Sequence, residues 1–165
     1  MTGYLVVLGI DPGSIVTGYG AVALTQGRTR PLGWGSVRTS SDLPLAERLK
    51  VIHDEIARQI ELFKPDQVAV ENVFLSKNAK SALKLGHARG VALLAAAEAG
   101  LPVFEYAPRE VKCSVVGIGS ASKDQVASMV VRLLGIEEQQ PREDESDALA
   151  VAVCHVHKIS GASVR

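Results

Sequence analysis

The sequence predicts an α/β domain with a mixed, five-stranded central sheet flanked by helices, and three observations predict it. Three apolar runs of strand length open the chain at residues 4–10, 17–24 and 32–39, joined by short links. Beyond them, helix-like and strand-like segments alternate, which places helices on the faces of a sheet. The 165 residues, 47% hydrophobic and 22% charged, can bury a real core and read as a single domain, 1–165.

The first run, YLVVLGI, is closed by Asp11-Pro12-Gly13-Ser14, a strong turn signal. In TGYGAVAL (17–24), Gly18 and Gly20 allow close approach or a bulge. LGWGSVRT (32–39) is a weaker strand, and the short links make the three an antiparallel meander. Residues 44–63 carry Leu45, Leu49, Ile52, Ile56, Ile60 and Phe63 at spacings of three and four, the stripe of an amphipathic helix. Ser41 or Asp42 could cap it, and Pro65 stops it. Residues 67–71 form a short buried strand.

Residues 78–98 form a second helix rich in small residues. Gly86 and Gly90, four apart, share a face that permits close packing within the subunit, against the sheet or against a second subunit. A strand at 102–106 and a short helix at 108–116 follow, then the loop Gly117-Ile118-Gly119-Ser120. The helix at 122–134 is expected to turn Val126, Met129, Val130, Leu133 and Leu134 inward. A polar link through Pro141 leads to a last helix at about 143–158.

Eighteen Lys and Arg balance eighteen Asp and Glu, so the sum does not advertise a polyanion partner. The distribution says more. Lys77, Lys80, Lys84 and Arg89 lie in a stretch from Ser76 to Ala97 without an acid, whereas Glu137 to Asp147 holds six acids against Arg142. Two solvated surfaces explain this as it stands; a polyanion contact and a cation site are the sharper reading. No apolar stretch has the length of a membrane span and no signal-peptide pattern opens the chain. Cys113 and Cys154 are the two cysteines, and with no secretory signal they are expected to be reduced thiols in the cytoplasm.

Four acids stand where burial is expected. Asp11 and Glu71 each end an apolar run, and Asp144 and Asp147 open DALAVAVCHV. Removing one ionised carboxylate from water is costly, and gathering several requires cations. Three of them have a plainer explanation too. Asp11 suits a turn, Glu71 could be an edge residue facing water, and Asp144 suits the positive end of a helix. Asp147 heads a helix that is apolar nearly all round, so it is drawn partly inside. It shares a helix face with Asp144 three residues before it, and also with Glu143 four before it; spacing does not choose between those two. Cys154, His155 and His157 fall on different helix faces and read as a surface histidine pair near the chain end rather than a metal site. Tyr19 and Trp34 read as packing residues.

Gly-Ile-Asp-Pro-Gly-Ser also resembles the first phosphate loop of sugar kinases and actin-like ATPases. Those enzymes clamp nucleotide between two lobes, and this chain is about half the length two lobes need. A non-catalytic binding or structural protein is a third reading, disfavoured by the presence of all four acids.

Taken together, LGIDPGSIVTGYG, ENVFLSKNAKSALKLGHARGVA, LPVFEY, VKCSVVGIGSASK and DALAVA resemble, in order, the RuvC family of Holliday-junction resolvases. The resemblance implies an RNase H-like fold and an endonuclease that cuts four-way DNA junctions by paired hydrolytic nicks, leaving 5′-phosphate and 3′-hydroxyl ends, in homologous recombination and DNA repair. It places the family's catalytic and metal-binding acids on Asp11, Glu71, Asp144 and Asp147, and so selects Asp144 over Glu143. It implies two Mg²⁺ per site, with Mn²⁺ a plausible substitute. Lys112 and Lys123 match family lysines near the scissile phosphate, and Phe74 matches an aromatic that stacks at the opened junction. Lys77, Asn78, Lys80, Lys84 and Arg89 are the expected DNA contacts. The implied partners are junction DNA, a second copy of the chain, and the RuvA–RuvB branch-migration complex.

Overall fold

A computed structural model describes residues 3–72 and 77–161. The elements run β1 (Tyr4–Asp11), β2 (Val16–Thr25), β3 (Arg28–Arg38), α1 (Leu45–Phe63), β4 (Gln67–Glu71), α2 (Ala79–Glu98), β5 (Val103–Tyr106), α3 (Pro108–Val116), α4 (Lys123–Leu134) and α5 (Glu143–Ser160). The five strands form one sheet in the order β3-β2-β1-β4-β5. β1, β2 and β3 are antiparallel, while β4 lies parallel to β1 and β5 parallel to β4. The sheet is therefore mixed, as expected, and the C-terminal ends of β1, β3, β4 and β5 share one edge.

β3 begins at Arg28, earlier than its weak apolar pattern suggests, because Gln26 and Gly27 make a tight turn. Both have positive φ, 50° and 74°, which is the twist a two-residue hairpin loop requires. α1 follows the predicted stripe, burying Ile52, Ile56 and Ile60, but it starts from Pro44 with no side-chain cap. Neither Ser41 nor Asp42 serves that role; Pro44 presets the turn and its carbonyl accepts from the Arg48 N–H at 3.1 Å. α4 is capped by Ser122, whose hydroxyl accepts from the Gln125 N–H while the Gln125 side chain accepts from the Ser122 N–H.

Each face of the sheet carries its own core. Val7, Val22 and Ala69 pack with α3, α4 and α5, while Leu8, Ile10, Val68 and Val70 pack with α1 and α2. α5 is sandwiched between the sheet and helices α3 and α4, so Ala148 to Val156 are buried without a break. This answers the all-round apolar pattern of its sequence. It sits so close to β1 and β2 that a methyl at Gly9 would fall 2.1 Å from the Ala148 carbonyl oxygen, and one at Gly20 2.6 Å from the Leu149 side chain.

Three sequence expectations need correction. A methyl group added at Gly86 or Gly90 would meet no heavy atom within 4 Å, so both face outward; of the packing readings, the one within the subunit is overturned. Leu133 is 40% exposed; the inner stripe of α4 is Val126, Val130 and Leu134, at spacing four. His155 is fully buried rather than at the surface. Its Nε2 meets Gln67 Oε1 at 2.6 Å, its Nδ1 meets the Tyr106 hydroxyl at 2.7 Å, and Phe104 stacks on it. The last helix is central, so its end is covered by β4 and β5. Both ring nitrogens have partners, and burial lowers the pKa. Among the described residues, no helix is long and apolar enough to cross a membrane.

Candidate active site

β1 and β4 are parallel neighbours with Ile10 paired to Val70, so their next residues, Asp11 and Glu71, emerge side by side at the sheet edge. α5 begins at the same edge and brings Asp147 over them. Asp11, Glu71 and Asp147 line one cleft of about 270 Å³ with Lys112 of α3 and Lys123 of α4. Pro108, Val111, Val126 and Ala150 form its apolar wall. A larger cavity of about 470 Å³, lined by Arg28, Arg30, Arg132 and His157, lies by the β2–β3 turn at the other end of the sheet and shares none of these residues.

The electrostatics of the cleft follow from crowding acids in a half-buried place. Burial, and then the negative charge of Glu71 and Asp147, push the Asp11 carboxyl up to about 8. A side-chain hydrogen bond with Glu71 adds to the rise of Asp11 and opposes that of Glu71. Burial also raises Glu71, offset by the Asp11 hydrogen bond and by the charges of Lys123 and Lys112. Burial raises Asp147, while Lys123 opposes the shift. A group of carboxylates that cannot all ionise unaided is suited to divalent cations, which take hard oxygen donors.

Asp144 does not line the cleft. It stands one helical turn before Asp147, and its Oδ2 lies 3.5 Å from Arg38 Nη2 at the end of β3. It still acts on the cleft at longer range, helping to raise both Asp11 and Asp147. Glu143 instead takes Lys123: Nζ is 2.6 Å from Glu143 Oε1 and 3.3 Å from Asp147 Oδ2. That hydrogen bond to Glu143 raises the Lys123 pKa, so the ammonium stays charged. The tie left open by spacing is thus divided: Glu143 is an exposed lysine anchor and Asp144 a rim acid. Arg38 had no distinguishing signal in the sequence; only the closing of β3 against β2 brings it to Asp144.

The donors are hard carboxylate oxygens, the kind a divalent cation takes. Among the described residues, no three acidic, histidine or cysteine side chains form a single ligand group. Mg²⁺ typically takes one or two carboxylates and completes its shell with water and substrate phosphate. Carboxylates spread along an open cleft match that habit.

Of the expected DNA contacts, Lys77, Asn78 and Lys80 are exposed and Lys84 is half-buried at the start of α2. The Asn78 side chain caps that helix, accepting from the backbone N–H groups of Lys80 and Ser81. Arg89 is half-buried and hydrogen-bonds Glu105 of β5, so its guanidinium is already engaged. Phe74 lies outside the described residues. The Asp11–Ser14 turn is closed internally: the Thr17 hydroxyl donates to the Gly13 carbonyl at 2.7 Å and accepts from the Gly13 N–H at 3.2 Å.

The mixed sheet and the acids at the ends of β1, β4 and the start of α5 define an RNase H-like protein with an acidic cleft. The chain belongs to the RuvC family: residues 7–155 match the family model described as crossover junction endodeoxyribonuclease RuvC. It is 54% identical over 152 residues to the enzyme of that name from Tolumonas auensis, covering 92% of this chain and 87% of that one. It is 48% identical over 158 residues to the Legionella pneumophila enzyme, covering 96% and 90%. Its fold is similar to T. thermophilus RuvC in complex with Holliday junction substrate, with a TM-score of 0.88 and 40% identity over 96% of this chain and 98% of that one.

Proposed function

We propose that this chain, as one nuclease domain over 1–165, is a structure-selective endonuclease that resolves four-way DNA junctions by paired hydrolytic nicks, in recombination and repair in the cytoplasm. One observation beyond family membership carries the reading: Asp11, Glu71 and Asp147 converge in a cleft that also holds Lys112 and Lys123. Acids that resist joint ionisation, facing two cations, suit the hydrolysis of an anionic diester.

Asp11, Glu71 and Asp147, with Asp144 at the rim, would hold Mg²⁺, two ions in this reading, with Mn²⁺ able to replace it. When bound, the ions supply Lewis-acid polarisation of the phosphoryl group and activation of the attacking water. The chain's own part is orientation and charge. Bound cations would favour the ionised form of Asp11, Glu71 and Asp147, against the burial that raises all three. Lys112 and Lys123 meet the negative charge that grows on the phosphoryl oxygens. Val111, Val126 and Ala150 keep bulk water from one wall. Attack on phosphorus with departure of the 3′ oxygen leaves a 5′-phosphate and a 3′-hydroxyl, which a ligase can rejoin.

Lys77, Lys80 and Lys84 contact phosphates and position the DNA, with Asn78 holding the start of α2 and Phe74 stacking at the junction centre. Two equivalent strands call for two sites, and the outward stripe Leu83, Gly86, Gly90 and Leu94 on α2 suits a homodimer interface. Coupling to the RuvA–RuvB complex is part of this reading, and family membership is what supports it. The deciding experiment is cleavage of a synthetic four-way junction by the wild-type chain and by Asp11→Asn, with and without Mg²⁺. Symmetric nicks from the wild type alone, and only with Mg²⁺, support the reading; nicking by the variant, or without any divalent ion, refutes it.

A further inference from the structure

Among the described residues, Arg38 is the cation that pairs with Asp144, and it stands outside the cleft that holds the two lysines. It ends β3, pairs in register with Val16 of β2, and reaches across to the first turn of α5. The contact has the marks of a loose pair. Its 3.5 Å separation exceeds the roughly 2.7–2.9 Å of a charge-assisted hydrogen bond, and the Arg38 and Asp144 side chains remain 51% and 34% exposed. The two partners differ in freedom. The Asp144 backbone is held against Gly18, with no room for even a methyl between them. Arg38 is a long side chain on a strand end, with solvent on its outer side. If the pair opens, the arginine moves and the aspartate stays.

The position of Arg38 complements that of the lysines. In the order β3-β2-β1-β4-β5, β3 is two strands from β1, and the register sets Arg38 two residues beyond the row that holds Asp11, a separation on the order of 12 Å. Lys112 and Lys123 stand on the α3–α4 flank. Arg38 does not line the cleft with these lysines, so its guanidinium would meet a strand lying over Asp11 and Glu71 at a different phosphate. The planar fork of arginine matches phosphate oxygens in a way a lysine does not.

We infer that Arg38 is an exchangeable counter-cation: it neutralises Asp144 while the cleft holds no divalent ion, and turns to a backbone phosphate of the cleaved strand once Asp144 serves an ion. This rests on the nuclease reading. It makes Arg38 a positioning residue that competes with metal in the free protein and assists the DNA-bound one, so its removal moves two measurements in opposite directions.

The test is Arg38→Gln, with Arg38→Lys beside it. Mn²⁺ binding to the DNA-free protein is followed by electron paramagnetic resonance or calorimetry, and single-turnover junction cleavage is measured at saturating Mg²⁺. The expected result for Arg38→Gln is Mn²⁺ binding tightened severalfold and cleavage slowed tenfold or more. Arg38→Lys keeps the charge and is expected to bind Mn²⁺ as the wild type does, with an intermediate cleavage rate. Mn²⁺ binding unchanged or weakened in Arg38→Gln, or cleavage at the wild-type rate, overturns the inference. Should Arg38→Gln fail to fold, Arg38→Lys decides: wild-type cleavage by it removes any need for the guanidinium and overturns the inference. Failure of the nuclease reading is distinct, because the wild-type protein itself then neither binds Mn²⁺ nor cleaves.

Discussion

Gly18 and Asp144 meet backbone to backbone: a methyl group at position 18 would lie 2.0 Å from the Asp144 carbonyl oxygen and 2.6 Å from its carbonyl carbon. The obstacle is main chain at the start of a helix, not a flexible side chain, so it yields only by moving α5. That helix carries Asp144 and Asp147. Gly18→Ala is therefore expected to cost about 1–3 kcal/mol of stability, the usual range for overpacking. It should also slow junction cleavage more than tenfold, because misplacing a reacting group by about 1 Å can cost a hundredfold. Thermal melting and single-turnover cleavage test the two parts. Wild-type cleavage in a folded Gly18→Ala protein would show that the approach of α5 does not set the site.

The crowded acids give the metal-free protein an unusual pH dependence. Folded Asp11 keeps its proton up to about pH 8, whereas its ordinary value is 3.8. Between these limits the folded state binds more protons, so stability falls as pH rises. Burial raises Glu71 and Asp147 in the same sense. The opposite contributions of Glu55 and Glu143, held low by Arg58 and Lys123, are lost only below the ordinary carboxylate range. The loss from pH 4 to 8 is expected to be on the order of a few kcal/mol. Melting curves in chelator should show it, Mg²⁺ should reverse it, and Asp11→Asn should flatten it.

Lys123 bridges Glu143 and Asp147. Lys123→Met keeps most of the apolar stem and removes the cation. The expected loss in single-turnover cleavage is roughly 10²–10³-fold, as for deletion of one donor to a developing oxyanion. Junction affinity measured in Ca²⁺ should change little. A large loss of binding with intact chemistry would reassign Lys123 to DNA attachment.

Leu83 and Leu94 are 65% and 50% exposed on the face of α2 that carries Gly86 and Gly90. Leu94→Glu places a charge in the proposed dimer interface. Sedimentation is expected to report a dimer for the wild type and a monomer for the variant at the same concentration, and paired nicking should give way to single nicks. A Leu94→Glu protein that stays dimeric would move the interface elsewhere.

Exposed Lys77 and Lys80 are expected to touch phosphate. Alanine at either should weaken junction binding whatever the sequence, and lower the slope of log affinity against log salt by about 1. An unchanged slope would leave that lysine outside the DNA contact.

The order and type of the elements were legible in the chain because periods of two and 3.6 residues are local properties of backbone geometry. The α1 stripe and the acids closing β1 and β4 could be read directly. Depth and proximity could not. His155 reads as a surface residue near a chain end, yet α5 lies between sheet and helices and seals it. Gly86 and Gly90 carry the spacing of a packing face, yet that face is turned outward.

By itself, then, the sequence determined an α/β chain with acids at the ends of buried elements. Through the segments it shares with its family, it also implied the chemistry proposed for those acids. Tertiary structure alone decided that Asp11, Glu71 and Asp147 share a cleft, that Glu143 holds Lys123, and that Asp144 faces Arg38. The physical reason is that spacing fixes only the face of one element. Which charges meet depends on the parallel register of β1 with β4 and on glycines that let α5 approach the sheet.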